Sequence, residues 1–246
     1  MKAIILNSGI GKRMGELTKN RPKSLIMLNG SETILHRQLR LLESYGIRNI
    51  IITTGPHREQ ILNHVEEKFS GLNVEYVYNP LYDKTNYIYS MNLINKDLID
   101  DDILLLHGDL VFEDSILEKL LNSNDLNSVL VNKIISLPEK DFKGRVMQDR
   151  VKEISVNIFD SNCYLLMPLY KFNRDDFLLW MNRINKFIEK NKVNVYAEEA
   201  LNEILDEIIL GCTYYENELC GEIDTLEDLA KIERILEVLK QARKTV

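Results

Sequence analysis

Short apolar runs alternate with helical patterns along the first half of the chain, and this alternation limits the folds open to it. Four nearly continuous apolar runs are typical of strands buried on both faces, at 3–6, 47–55, 74–79 and 102–109. Apolar residues recur at helical spacing between these runs, at 33–46, 57–71 and 86–98. Strands that alternate with helices form βαβ units with right-handed crossovers. The sequence therefore predicts an α/β fold built on a largely parallel sheet.

The pattern changes in the second half of the chain. Charged, alternating segments at 140–159 predict a hairpin, which lies between apolar strands at 128–134 and 162–170. Two long helical patterns follow, at 174–191 and 196–208. The last segment predicts a strand, a turn at Gly221 and a closing amphipathic helix with a basic last turn.

Composition excludes several classes of function. The chain has 246 residues, enough for one large domain, and a net charge of −7, which gives little support for binding a nucleic-acid backbone. Its three cysteines lack CxxC spacing, so neither a disulfide framework nor a zinc site is indicated. The first apolar run is too short for a signal sequence, and no apolar stretch could span a bilayer. We expect a cytoplasmic protein that binds neither nucleic acid nor membrane.

A glycine-rich loop follows the first predicted strand, at 6–26. It contains most of the dinucleotide-binding fingerprint, but Met14 stands where the third glycine is needed for close helix packing. The second predicted strand also ends without the carboxylate that would hold a ribose, and the Walker spacing is absent. The loop therefore does not indicate a redox cofactor.

The same loop has the features of a phosphate-binding site. Backbone N–H groups around Gly9 and Gly11 can cradle phosphate oxygens, and the cations of Lys12, Arg13 and Lys23 can stabilise charge during group transfer. A simpler interpretation is that the glycines only turn the chain and the cations are solvated. The loop alone leaves both interpretations open.

The segment 6–26 resembles the signature of nucleotidyltransferases that join a nucleoside triphosphate to a phosphorylated acceptor. The residues that match this signature are Gly9, Gly11, Arg13, Pro22, Lys23 and Leu25. Asn7 and Ser8 depart from the family's usual small residues, at the place where the base is read. The resemblance implies these nucleotide-binding residues: Leu6, Asn7, Ser8, Gly9, Gly11, Lys12, Asn79 and Ser90.

Two acidic motifs extend the resemblance towards the end of the chain. Asp109 ends the "LLLHGD" strand, and ligands bind at the carboxyl ends of strands in open parallel sheets. Glu222 and Asp224 lie at the last strand-to-helix junction, where Asp224 could instead cap the helix unless Thr225 does so. In the family, an aspartate at each place holds Mg²⁺, a hard cation that favours carboxylate oxygens. The resemblance thus implies an Mg²⁺ site at Asp109 and Asp224, with Glu222 as a further candidate.

The implied chemistry needs few catalytic groups. Arg13 and Lys23 would neutralise charge on the α-phosphate and the departing pyrophosphate, while the acceptor phosphate attacks in line. That phosphate is already anionic at pH 7, so no strong base is required. His107 lies two residues before Asp109, but a single histidine at the end of a strand is more often structural, and we leave it out of the chemistry.

The middle and end of the chain resemble one subset of the family, the small cytidylyltransferases that activate phosphocholine and other amine-bearing phosphates or phosphonates for surface glycans such as capsules. The resemblance lies in 79–93, 194–204 and 222–236. It implies CTP as the donor, Ser90 near the base, and Tyr196 and Glu198 facing the acceptor. A tyrosine face and a carboxylate suit an ammonium group, although both residues could simply begin a helix.

Basic residues in the predicted hairpin bear on the acceptor as well. Lys143, Arg145, Arg150 and Lys152 would favour an acceptor with an additional carboxylate, such as an amino-acid phosphate like phosphoglutamine. Trp180 lies in a helical pattern and is expected in the core.

Pattern and resemblance together predict a Rossmann-like three-layer αβα fold with a mixed, mostly parallel sheet and a small inserted acceptor-binding subdomain. We expect one domain, 1–246, with a nucleotide-binding half at about 1–112, an acceptor-binding part at about 113–220 and a closing strand and helix at 221–246. Two other functions stay open, a sugar-1-phosphate nucleotidyltransferase and a non-catalytic nucleotide sensor. A homodimer is also left open.

Overall fold

The computed structural model describes residues 1–244 of the chain. Its strands are β1 (Lys2–Asn7), β2 (Met27–Leu28), β3 (Glu32–Thr33), β4 (Asn49–Thr54), β5 (Asn73–Tyr78), β6 (Ile103–His107), β7 (Leu110–Phe112), β8 (Ser128–Asn132), β9 (Lys143–Met147), β10 (Arg150–Ser155), β11 (Cys163–Phe172), β12 (Gly211–Tyr215) and β13 (Cys220–Glu222). Its α-helices are α1 (Ile34–Ser44), α2 (Arg58–Lys68), α3 (Tyr87–Asn92), α4 (Asp114–Leu121), α5 (Arg174–Glu189), α6 (Ala197–Asn202) and α7 (Leu226–Lys244). 3₁₀ turns lie at Lys12–Thr18, where Gly15 interrupts the helical backbone, at Lys23–Leu25 and at Lys96–Leu98.

Across residues 1–244, nine strands form one mixed sheet in the order β5-β4-β1-β6-β11-β8-β12-β10-β9. The four strands predicted from the first half of the chain are parallel neighbours, because each crossover carries a helix back over the sheet. β11 then enters antiparallel to β6. The expected α/β fold with a mixed, mostly parallel Rossmann-like sheet is confirmed.

The far half of the sheet curls back on itself. The predicted hairpin forms from β9 and β10, and β9 also pairs with β11. The ten-residue strand β11 therefore contacts β6 and β8 along one part and β9 along another. The inserted hairpin is thus an extension of the central sheet, next to the carboxyl end of β8.

Alternating side chains of the buried strands fill two cores, one on each face of the sheet. On β1, Ile4 packs into one core and Ile5 into the other, and both are fully buried. The first core also contains Trp180 of α5, which is fully buried as expected and donates to the carbonyl of Ala197. The three layers follow from this two-sided burial.

The second predicted helix of the C-terminal half is shorter than its pattern indicates. The pattern covers 196–208, but α6 ends at Asn202. The amide of Asn202 bonds to both the N–H and the carbonyl of Ile154 on β10, at 2.8 Å each. This tertiary contact fixes the end of the helix against the hairpin, so the prediction of a long helix is wrong.

The turn expected at Gly221 is also wrong, because Gly221 lies inside β13 and pairs with Val111 of β7. β7 and β13 form a separate antiparallel ribbon, called here the β7–β13 ribbon. The ribbon and α7 pack on a third, smaller core that includes Met14 and Ile232. No helix within the described range 1–244 is long and apolar enough to cross a bilayer.

Candidate active site

The candidate site lies at the carboxyl ends of β1 and β6. The chain runs from β1 to β4 and β5 on one side, then returns to place β6 on the other side of β1. In open α/β sheets, ligands bind at such a reversal of strand order. The glycine loop leaves β1 at this point, and Gly11 adopts φ 71°, a left-handed conformation that favours glycine.

A cavity of about 620 Å³ opens above the glycine loop. Predicted nucleotide-binding residues that line it are Leu6, Asn7, Ser8, Gly9, Gly11, Lys12 and Asn79. Lys84 and Thr85 line its other side, in the loop between β5 and α3. The structure therefore brings seven of the eight predicted nucleotide-binding residues together around one space.

The eighth, Ser90, lies beneath the cavity and is fully buried. Its hydroxyl bonds to the Ser8 hydroxyl at 2.6 Å and accepts from the Asn79 amide at 2.9 Å. The carbonyl oxygen of the same Asn79 amide accepts from the N–H of Leu81 at 2.8 Å. Ser90 thus orients two side chains that do line the cavity.

Two further contacts fix the floor of the cavity. The Asn7 amide donates to the Ser24 hydroxyl at 2.7 Å, and both residues are buried. Gly55, which follows β4, lies so close to the loop that a Cβ there would be 2.1 Å from the Ser8 carbonyl oxygen. No pattern in the sequence singled out Ser24 or Gly55, although Ser24 directly follows Lys23 in the recognised signature.

Four charged side chains that line the cavity meet in one cluster. Lys23 Nζ lies 2.6 Å from Asp109 Oδ2 and 2.7 Å from Asp224 Oδ1, and Arg13 Nη2 lies 2.7 Å from the same Asp224 oxygen. Burial lowers the pKa of Lys23, but the two carboxylates outweigh burial and raise it above its ordinary value. Burial raises the pKa of Asp109, but the positive charges of Lys23 and His107 outweigh burial, so the pKa of Asp109 lies below its ordinary value.

Asp224 is available for this cluster because other residues cap α7. Thr225 Oγ1 accepts from the N–H of Asp228 at 3.2 Å, and Asp228 Oδ2 accepts from the N–H of Thr225 at 2.8 Å. This is a reciprocal capping box. Of the two alternatives that the sequence leaves open, the structure has Thr225 as the cap.

His107 and Glu222 form a buried pair behind the carboxylates. His107 Nδ1 lies 3.0 Å from Glu222 Oε1. Burial and the neighbouring Asp109 charge raise the pKa of Glu222. Burial lowers the pKa of His107, but the hydrogen bond and charge of Glu222 outweigh burial and raise that pKa. Sequence analysis left His107 out of the chemistry, yet it belongs to the site, and its spacing of two from Asp109 was the signal.

The carboxylates fit a hard divalent cation. Asp109 Oδ1 is buried and, among the described residues, has no hydrogen-bond partner. His107, Asp109 and Glu222 each offer one ligand atom within 4.8 Å of the others. Carboxylate oxygens are the ligands that Mg²⁺ takes, together with phosphate oxygens and water.

A second cavity, of about 530 Å³, adjoins the first. Aromatic rings of Tyr87, Phe142 and Tyr196 line it, and the Tyr196 ring lies 5.0 Å from that of Phe142 and 6.0 Å from that of Tyr87. Acidic residues dominate the charged part of its lining: Asp109, Glu139, Asp141, Glu222 and Asp224, against Arg13, Lys140 and His107, whose pKa is raised to about 9. Burial and the Asp224 charge raise the pKa of Asp141.

Glu198 does not line this second cavity. It is 1% exposed, and its two oxygens accept from the hydroxyls of Tyr87 and Tyr170, the latter at 2.9 Å. Glu198 therefore holds Tyr87, which lines both cavities, while Tyr196 faces the space directly.

The basic residues of the hairpin also point elsewhere, which corrects their expected role towards an acceptor carboxylate. The Lys143 ammonium donates to the carbonyls of Glu139 and Val156, and Arg145 pairs with Glu153 and Asp160. Arg150 and Lys152 are exposed on β10 and line neither cavity. Two of the four cations are thus used for internal contacts, and the other two are exposed away from the cavities.

Comparison with known families matches residues 3–134 to the MobA-like NTP transferase domain. Similar proteins include the CMP-5'-(3-aminopropyl)phosphonate synthase of Streptomyces rubellomurinus, 31% identical over 148 residues, which covers 60% of this chain and 23% of that protein. The choline-phosphate cytidylyltransferase of Streptococcus pneumoniae is 27% identical over 248 residues, 96% of this chain and 98% of that protein. The CTP:phosphoglutamine cytidylyltransferase of Campylobacter jejuni is 27% identical over 140 residues, 54% and 53% of the two chains. The chain thus spans about a quarter of the first relative, nearly all of the second and half of the third.

Solved structures share the fold. A CTP:phosphocholine cytidylyltransferase from Streptococcus pneumoniae superimposes with a TM-score of 0.77 at 23% identity, over 96% of this chain and 98% of that one. A glucose-1-phosphate thymidylyltransferase structure from Bacillus anthracis gives a TM-score of 0.78 at 19% identity, over 96% and 94% of the two chains.

Proposed function

Because this chain belongs to the MobA-like NTP transferase family, we propose that it transfers CMP from CTP to a small phosphorylated or phosphonate acceptor that bears an amine, releasing pyrophosphate. The observation that carries the proposal is that two cavities meet at one charged cluster. Within residues 1–244, these line both: Arg13, Asn86, Tyr87, His107, Asp109 and Asp224. A transferase needs this arrangement, because the acceptor must be held in a site of its own from which it can reach the reacting phosphorus of the bound donor.

The nucleotide is proposed to occupy the cavity above the glycine loop. N–H groups around Gly9 and Gly11 would bind phosphate oxygens, and Ser8 and Asn79 would contact the base. Their fixed orientation through Ser90 supports this assignment, because a base-reading hydroxyl must be held in one rotamer to discriminate. In this proposal residues 1–112 supply most of the nucleotide site, while the acceptor site combines residues of 113–220 with residues of 1–112 and with Glu222 and Asp224.

The reaction would be an in-line displacement at the α-phosphorus. An acceptor oxygen forms the new O–P bond as the bond between the α-phosphorus and the bridging oxygen breaks, and the electron pair leaves with pyrophosphate. Lys23 and Arg13 would neutralise the charge that develops on the α-phosphate and the leaving group. Asp109 and Asp224 would hold Mg²⁺, which when bound withdraws charge from the phosphate oxygens.

The amine on the acceptor is proposed from the second cavity. Its aromatic rings and its excess of carboxylates suit an ammonium group, through cation–π contact and Coulomb attraction. Named relatives that act on choline phosphate, phosphoglutamine and aminopropylphosphonate support the same class. The product would then donate its headgroup to a surface glycan such as a capsule.

A pyrophosphate-release assay over a matrix of nucleotides and acceptors tests the proposal. CTP, UTP, dTTP and ATP would each be paired with phosphocholine, phosphoethanolamine, an aminoalkylphosphonate, phosphoglutamine and glucose 1-phosphate. We expect turnover with CTP and an amine-bearing acceptor. Turnover only with a sugar phosphate would instead establish the sugar-1-phosphate alternative. CTP binding without turnover on any acceptor would favour a nucleotide sensor.

A further inference from the structure

The proposed metal-binding carboxylates flank the β7–β13 ribbon: Asp109 directly precedes β7, and Asp224 lies two residues after β13. One edge of β7 has no strand partner within residues 1–244. On the paired edge, Asp109 O accepts from the N–H of Ile223 at 3.1 Å, and the N–H of Glu113 donates to Leu219 O at 2.9 Å. In an antiparallel pair, alternate residues direct their backbone groups away from the partner. The carbonyls of Leu110 and Phe112 therefore face away from β13, towards α1.

Two side chains of α1 bond to those carbonyls. Gln38 Nε2 donates to Leu110 O at 2.8 Å and also to His107 O at 2.9 Å, and Arg37 Nε donates to Phe112 O at 3.1 Å. His107 and Leu110 directly bracket the Gly108–Asp109 turn. One amide thus closes the turn that carries Asp109 from both sides.

Gln38 occupies a position where the helix otherwise buries apolar side chains. Its neighbours on the buried face of α1 are Ile34, Leu35, Leu39 and Leu42, and Gln38 itself is 1% exposed. Carbonyl oxygens only accept, so the amide must direct its NH₂ group at the turn. That leaves its Oε1 buried and, among the described residues, without a hydrogen-bond partner. An unsatisfied buried acceptor costs about 1–3 kcal/mol, which a leucine at this position would avoid.

We propose that Gln38 is a positioning residue for metal binding, acting through the backbone of 107–110 to hold the Asp109 carboxylate at the distance from Asp224 that a divalent cation requires. The proposal rests on the proposed function for the identity of the site. Without Gln38, the carbonyls of His107 and Leu110 would lose this donor, and Gly108 between them has no side chain that could restrict the turn. Through this contact α1, which lines neither cavity, sets the geometry of the site.

The test compares Gln38→Met with Arg37→Met. Methionine keeps the length and flexibility of glutamine but has no donors. Arg37→Met removes the other bond from α1 to the same strand, at the end farther from Asp109, and serves as the matched control. Binding of Mn²⁺ to the full chain is measured by the electron paramagnetic resonance signal of free Mn²⁺, without turnover, and the folding of each variant by urea unfolding.

We expect Gln38→Met to weaken Mn²⁺ binding by about 10- to 100-fold, which is the usual effect of losing a partner that orients a metal ligand. Arg37→Met should change Mn²⁺ binding by less than about twofold. Gln38→Glu should be intermediate, because a buried carboxyl facing carbonyls stays neutral and keeps one donor. A folded Gln38→Met that binds Mn²⁺ as the unsubstituted chain does would overturn the proposal, and so would absence of Mn²⁺ binding by the unsubstituted chain. If Gln38→Met does not fold, Gln38→Glu decides by the same criterion. A negative result in the nucleotide and acceptor matrix would instead affect only the proposed function.

Discussion

The ammonium group of Lys23 lies 2.6 Å from the carboxylate of Asp109, buried at the junction of the two cavities. It also contacts Asp224 at 2.7 Å, so one cation bridges the two carboxylates proposed to hold a metal ion. Metal binding would therefore require Lys23 to move from between the carboxylates towards the phosphates. The same residue can then neutralise charge on the triphosphate, which links metal binding to nucleotide binding.

Lys23→Met should separate these two effects. Turnover should fall by about 10²- to 10³-fold, because a positioned charge on the transferring phosphate is lost. Mn²⁺ binding without nucleotide should be retained or become tighter, because the competing ammonium is removed. Steady-state kinetics and Mn²⁺ titration measure the two effects, with the exposed Lys19→Met as control. Turnover within about twofold of the unsubstituted chain would contradict the catalytic assignment.

Asp109→Asn tests the metal assignment with an isosteric change. The change removes a charged ligand, and Oδ1 of this carboxylate has no hydrogen-bond partner within the described chain. We therefore expect Mn²⁺ binding to weaken and turnover to fall by about 10²-fold or more. Thermal unfolding should show a folded protein. The control is Asp175→Asn, since Asp175 is exposed on α5 and lines neither cavity. Normal turnover in Asp109→Asn would rule out this carboxylate as a metal ligand.

Gly55→Ala should disturb the base-reading end of the nucleotide cavity. The new Cβ would lie 2.1 Å from the Ser8 carbonyl oxygen, so the loop must shift, at a cost of about 1–3 kcal/mol in stability. We expect the KM for CTP to rise more than the KM for the acceptor. Gly71→Ala is the matched control, because its Cβ meets only a side-chain oxygen of Glu43 at 3.5 Å. Equal behaviour of the two alanine variants would disprove a tight contact at Gly55.

Tyr196→Ala should weaken acceptor binding selectively. Loss of one aromatic face from an ammonium site removes about 0.5–2 kcal/mol of binding free energy, which corresponds to a roughly 2- to 30-fold higher KM for the acceptor. The KM for CTP should stay the same, because Tyr196 lines only the second cavity. Tyr78→Ala, another partly exposed tyrosine outside both cavities, is the control. An unchanged acceptor KM in Tyr196→Ala would place the acceptor elsewhere.

His64 should make folding sensitive to acid. Burial, together with the charges of His36 and Lys68, lowers its pKa, and its ring lies 5.7 Å from that of His36. The unfolded chain then binds more protons than the folded one near and below pH 6.5, so stability falls as pH drops through that range. Urea unfolding at pH 7 and pH 5 measures the loss, which should be smaller in His64→Leu. An equal loss in both proteins would show that other groups determine the acid sensitivity.

The sequence predicts much of this fold because its signals are local. β1, β4, β5 and β6 lie where apolar runs occur, and Gly11 turns the chain where the glycine pair stands. The approach of Lys23 to Asp109 followed only from family resemblance, since no pattern links residues 86 positions apart.

Other features depend on contacts that no single segment contains. Asn202 ends α6 early by binding Ile154, and Glu198 is enclosed by tyrosines from α3 and β11 rather than facing the cavity. Gln38 lies on the buried face of α1, and no helical pattern shows what a polar side chain does there; its partners appear only when the turn at 107–110 is placed beside it.

The β7–β13 ribbon has a consequence for how the chain matures on the ribosome. It joins residues near 110 to residues near 222, so nothing shorter than the first 224 residues holds both Asp109 and Asp224. The glycine loop and β6 are therefore synthesised long before the second carboxylate of the charge cluster. Until Asp224 has been added, Lys23 has only one of its two carboxylate partners, so the proposed catalytic centre cannot form before β13 and the residues that follow it are synthesised.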